Sequence, residues 1–108
     1  MIIESVEIAV GPAIREELLR ALTAWRGPAE VEPGCLSCRI LQDANNPNAF
    51  CYDAKWRSED DLLCHLRSAH YRHLLMLMDM ADRPPLVQFH TVTETVGLDF
   101  VQLARNAL

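Results

Sequence analysis

The chain has 108 residues, half of them hydrophobic, with fifteen acidic against ten basic side chains and a formal charge of -5. That length fits one domain with a modest core, and the apolar surplus suggests a surface that a second copy covers. No basic run or stripe is present, which argues against nucleic acid and anionic membranes as partners. No apolar run approaches the roughly 20 residues needed to cross a bilayer.

The opening MIIESVEIAV has no positive n-region, and two glutamates interrupt it, so it reads as a strand and not as a signal peptide. Four cysteines without an export signal point to free thiols in a reducing cytoplasm. Along this strand the even positions Ile2, Val6, Ile8 and Val10 form an apolar face, and Glu4 is its one intruder. Gly11-Pro12 breaks the strand. A helical stripe of Ile14, Leu18, Ala21, Leu22 and Trp25 follows, and Gly27-Pro28 is expected to end it, leaving Ala29 to Gly34 as a loop.

Cys35 to Asp43 is extended, ANNPN (44–48) is a turn, and Ala49 to Trp56 is a third strand with Phe50, Tyr52, Ala54 and Trp56 on one face. Ser58 caps a second helix whose first turn carries Glu59, Asp60 and Asp61 at the positive end of the dipole. Its stripe runs through Leu62, Leu63 and Leu66. Ser68 marks a break or recapping, after which Tyr71, Leu74, Leu75 and Met78 continue the stripe until Pro84-Pro85. Leu86 to Val96 is strand four, and Leu98 to Leu108 an amphipathic helical tail.

The order is β-α-β-β-α-β plus a C-terminal helix: an α+β, ferredoxin-like fold with a four-stranded antiparallel sheet and both helices on one face. Residues 1–96 form the domain, and 97–108 form a tail belonging to it or to a dimer interface. The bare sheet face would be covered by a partner's sheet.

The chain resembles the antibiotic biosynthesis monooxygenase (ABM) domain family, of the dimeric α+β barrel type. EPGCLSCRILQD (32–43) is similar to the family's Pro-Gly-Cys approach to strand two, and Asn46-Pro47 followed by Phe50 to its hairpin. Trp56-Arg57-Ser58, His65 and Ser68-Ala69-His70-Tyr71 are similar to its "W-x-S…H…S-x-H-aromatic" signature. The likeness runs from Met1 to about Val96. It implies a homodimer joined through its sheet faces, with a pocket between sheet and helices in each subunit. Members include cofactor-free monooxygenases acting on quinols and polycyclic phenols, haem-degrading enzymes, and proteins of unknown activity. The haem-degrading branch uses an Asn on strand one, a Trp on helix two and a later His. Here Glu4, His65 and Leu75 stand at those positions, which counts against haem cleavage.

Two residues are candidates for catalysis. His65 is either a general base or hydrogen-bond donor to a phenol, or a fold residue capping strand or loop groups. Glu4, on its apolar face, is either a base of raised pKa lining the pocket, or one half of a salt bridge, for instance with a nearby arginine, or a rim residue near the frayed start of the strand. Trp56, Tyr52 and Phe50 are core aromatics that could also stack on a flat substrate, and Tyr71 and His70 are further candidates for contact with it. His70 and His73 share a helix face, but no third ligand completes a metal set. Cys35 and Cys38 form C-x-x-C; residues three apart in a strand point to opposite faces, so neither a redox pair nor a metal site is expected. Met76, Met78 and Met80 read as core filler.

These features lead to a cofactor-independent monooxygenase oxidising a small aromatic quinol or polyketide-like phenol with O2. Alternatives are a non-catalytic dimeric module that binds a small ligand or serves in stress, and a haem-binding or haem-degrading protein, which a Soret band would reveal.

Overall fold

A computed structural model describes residues 1–106. The strands are β1 (Ile2–Ala9), β2 (Cys35–Gln42), β3 (Ala49–Trp56) and β4 (Leu86–Thr91), in the sheet order β2-β3-β1-β4 with every pair antiparallel. The helices are α1 (Arg15–Glu30), reached through a single 3-10 turn at Pro12–Ile14, then α2 (Glu59–Leu66), α3 (Ala69–Met78) and α4 (Leu98–Asn106). The expected fold class is the one observed.

The core lies between the sheet and α1–α3. On β1 the even residues Ile2, Glu4, Val6 and Ile8 are buried, and the register pairs them with Trp56, Ala54, Tyr52 and Phe50 of β3, which are buried on the same face. Leu18, Leu22 and Trp25 of α1 and Leu62, Tyr71, Leu74 and Met78 of α2 and α3 close the layer from above. The opposite sheet face carries Leu41 on β2 and Leu86 on β4, both exposed. No helix is long and apolar enough to cross a membrane among the described residues.

Several boundaries differ from the sequence reading. Helix α1 runs through Gly27-Pro28 to Glu30. A proline forfeits one helical hydrogen bond, and here that loss falls in a last turn held by buried Ala29 and by Arg26, whose Nε donates to Cys38 O at 2.9 Å. Helix two is two helices. Ser68 accepts from the Tyr71 N–H (3.1 Å) and donates to His65 O (2.7 Å), ending α2 and capping α3 at once. Helix α3 stops at Met78, well before Pro84-Pro85, and Leu75 and Met76 turn outward, so neither belongs to the core. Strand β4 ends at Thr91, and residues beyond 106 of the expected tail lie outside the described range.

The C-x-x-C reading also needs correction. A bulge at Leu36 shifts β2 by one residue, so Cys35 pairs with Trp56 and Cys38 with Ala54, which puts both thiols on the helix-bearing face. They are free, and burial pushes the Cys38 thiol up to about 12. A thiol so hard to ionise is a poor nucleophile.

Candidate functional site

Glu4 sits at the centre of the layer with 0% exposure. One carboxylate oxygen, Oε1, accepts from the Tyr52 hydroxyl at 2.9 Å and from Trp56 Nε1–H at 3.1 Å. Both donors come from β3, and alternation places them on the same face as Glu4. His65 Nε2 stands 3.3 Å from the same oxygen, at an angle that makes no hydrogen bond. The other oxygen, Oε2, is buried and has no donor. A bare carboxylate oxygen in an apolar layer is costly.

His65 is 2% exposed and reaches Glu4 from the last turn of α2. Its Nδ1–H donates to Glu32 Oε2 at 2.5 Å, and its ring lies 4.3 Å from Trp56 and 5.0 Å, edge-on, from Tyr71. Burial alone would lower its pKa. Contact with Glu4 and the charges of Glu4 and Glu32 outweigh that, and the imidazole is held above its ordinary 6.5. The Tyr52 and Tyr71 hydroxyls are both raised by burial and by the negative charge of Glu4, so both remain protonated. The centre is thus an imidazole of raised pKa between two glutamates, ringed by phenol and indole donors.

Glu32 is not among the sequence candidates; it stands in the expected 29–34 loop, at the head of the stretch leading into strand two. Its position is set by Gly34, whose φ of +81° turns the chain from α1 into β2, and whose carbonyl accepts from the Arg57 N–H at 2.8 Å. The only hint in the sequence is an acid directly before Pro-Gly.

Of the seven residues picked from the sequence, Glu4, His65, Trp56, Tyr52 and Tyr71 meet in this centre. Phe50 is buried on the same face but pairs with Ile8, four residues further along the ladder, or about 13 Å away. It lines a cavity of about 350 Å³ at the end of the sheet with Leu41, Leu86 and Arg83. His70 is on the side of α3 that faces α1, away from this centre. Its Nε2–H donates to Trp25 O (3.1 Å), Trp25 Nε1–H returns a bond to His70 O (2.9 Å), and the two rings stack at 4.6 Å. That reciprocal tie clamps α1 to α3, beside a groove of about 410 Å³ that His73 and Met76 also line. Neither cavity is lined by Glu4 or His65.

An antiparallel four-stranded sheet with its helices on one face and a buried polar centre between the layers defines an α+β, ferredoxin-like protein. The chain belongs to the antibiotic biosynthesis monooxygenase family, whose pattern it matches over residues 1–75. A candidate antibiotic biosynthesis monooxygenase from Deinococcus radiodurans has a similar structure: TM-score 0.84, 15% identity, 91% of this chain and 98% of that one. A second, from Nitrosomonas europaea, gives a TM-score of 0.78 at 22% identity over 87% of this chain and 100% of the other. At such identities the likeness is one of fold. An uncharacterised protein of Synechocystis is 24% identical over 98 residues, covering 90% of this chain and 67% of that protein.

Proposed function

We propose that the protein is a monooxygenase that oxidises a small aromatic quinol or phenol with O2 and draws the electrons from the substrate itself. The observation that carries this reading is the orphaned Oε2 of Glu4, a buried acceptor with no hydrogen-bond partner, beside an imidazole whose pKa the neighbouring glutamates raise. A phenol hydroxyl is the kind of donor such an oxygen lacks.

In this mechanism Glu4 Oε2 takes the phenolic proton. The phenolate passes one electron to O2, giving a substrate radical and superoxide, which the positive charge of His65 stabilises together. The pair combines at a ring carbon as a hydroperoxide. Heterolysis of its O–O bond leaves one oxygen on carbon and releases the other as water, so that a quinol and O2 become a hydroxyquinone and H2O. Glu32 holds the His65 ring in orientation, and Tyr52 and Trp56 fix the Glu4 carboxylate. The subunit acts as a homodimer through its helix-free sheet faces, where exposed Leu41 and Leu86 favour burial against a partner.

Oxygen uptake with a panel of quinols tests the reading. Wild type should consume O2, and Glu4→Gln, which keeps the shape and removes the basic oxygen, should be slower by about 10²- to 10⁴-fold. Equal rates in the two proteins would dismiss Glu4 as the base.

A second reading, a non-catalytic small-ligand module, is favoured by the near-complete burial of Glu4 and His65. Quinols that bind without O2 uptake would select it. Haem suits the centre poorly: His65 is engaged between two carboxylates, and Leu75 stands where a later His would be required.

A further inference from the structure

We propose that Glu4, His65 and Glu32 form a proton path between the sealed centre and water, with Glu32 as its outer end. The path serves the base assigned above, so the inference rests on that reading and gives Glu32 a task beyond orienting a ring. The need for a path comes from burial. The Glu4 and His65 side chains are both 0% exposed, so a proton that Glu4 takes from a phenol meets no water. A carboxyl group left protonated there no longer acts as a base.

The three groups stand in series. His65 Nε2 is 3.3 Å from Glu4 Oε1 and has no hydrogen-bond partner, while Nδ1, across the ring, is 2.5 Å from Glu32 Oε2. An imidazole that gains a proton on one nitrogen can release another from the second, which moves charge across the ring. The Nε2–Oε1 pair is misaligned without substrate, as catalytic contacts often are. The Glu32 side chain is 19% exposed, so it touches the buried ring and water at once. Its backbone is fixed on both sides: its N–H donates to Ala29 O at 3.2 Å, and its carbonyl accepts from the Cys35 N–H at 3.1 Å.

The other titratable groups of the centre do not offer this exit. The Tyr52 and Tyr71 hydroxyls are raised by burial and by the charge of Glu4, so neither is a proton acceptor at neutral pH. Among the described residues, Glu32 alone joins the ring to solvent through a carboxyl group.

Each transfer balances. The Glu4 carboxylic acid gives its proton to Nε2, and the ring passes through its charged form. The Nδ1 proton then moves to the Glu32 carboxylate and on to water, so Glu4 is again a carboxylate and the ring neutral. Run inward, the same path recharges the ring from water, and Nε2–H supplies the proton to the oxygen that departs when the O–O bond breaks.

Exchange of the His65 ring N–H protons with water, followed by NMR on nitrogen-15-labelled protein, tests the path without substrate. Glu32→Gln keeps an oxygen that accepts from Nδ1–H, so ring orientation survives and only the titratable group is lost. At pH values giving equal ring charge, exchange should be slower in Glu32→Gln by about tenfold or more and unchanged in Tyr71→Phe. Equal exchange in wild type and Glu32→Gln, or slowing in Tyr71→Phe alone, would overturn the path. Mixing with a naphthol in the absence of oxygen, with a pH indicator present, supplies the second readout. In Glu32→Gln, formation of phenolate should persist while release of the proton to bulk water lags; simultaneous release would contradict the path. A wild type that forms no phenolate but whose ring exchange depends on Glu32 would instead remove Glu4 as the base, so the two ideas fail separately.

Discussion

Glu4 is the residue on which the interior turns. A carboxylate sealed from water persists only if neighbouring groups offset its desolvation, and Tyr52, Trp56 and His65 do so on one oxygen alone. His65 carries the pH dependence. Its folded pKa is raised above 6.5, so its contribution to stability is complete below about 6.5 and fades as pH rises through the folded value. The groups facing it are the carboxylates of Glu4 and Glu32. Urea midpoints should therefore fall from neutral toward alkaline pH, and His65→Gln should flatten that slope; a slope identical to wild type would show that His65 is not held charged. Glu32→Gln removes one of the two carboxylates and should lower the His65 titration midpoint seen by NMR. An unmoved midpoint would contradict the pairing.

At the scale of the element, the turn before β2 is the most constrained piece of backbone. Gly34 has φ +81°, and a β-carbon there would overlap the Asp61 carboxyl group, which Ser58 holds at 2.9 Å at the start of α2. Gly34→Ala should cost roughly 2–4 kcal/mol through strain and the displaced cap. Chemical denaturation measures it, and a loss under about 0.5 kcal/mol, the level of ordinary surface changes, would show that the turn has an alternative. The same stretch shows what a sequence does and does not make legible. Alternation put Glu4 on the apolar face of its strand and Tyr52 and Trp56 on one face of theirs, and the β1–β3 register makes those faces one; the histidine in the last turn of a Ser-capped helix was readable as turned inward. The partner Glu32 was not, because contact between residues 33 positions apart depends on how a loop folds back. The C-x-x-C parity failed for a related reason: a single bulged residue, Leu36, reverses the face on which Cys35, at the start of β2, lies. Pro28 was read as a stop because proline interrupts helical hydrogen bonding, yet one lost bond near a helix end is outweighed by burial of Ala29.

For the whole molecule, the layers leave two surfaces exposed among the described residues, the helix-free sheet face and the edge at β4, and no residue of α4 is buried. Dimerisation through the sheet face should be tight enough to appear at micromolar concentration by sedimentation, and Leu41→Glu should shift the species toward monomer; a monomer at every concentration would contradict the proposed sheet-face contact. A guest molecule must reach an interior in which Glu4 and His65 are sealed from solvent in the single subunit. The most direct test is spectroscopic: a naphthol whose free hydroxyl is neutral at pH 7 is added to the protein without oxygen, and its absorbance is followed. Proton transfer to Glu4 should produce the red-shifted phenolate band on wild type and leave Glu4→Gln with the spectrum of bound neutral naphthol. A phenolate band of equal strength in both proteins, or none in wild type at saturating naphthol, would contradict the assignment of this centre as the proton acceptor.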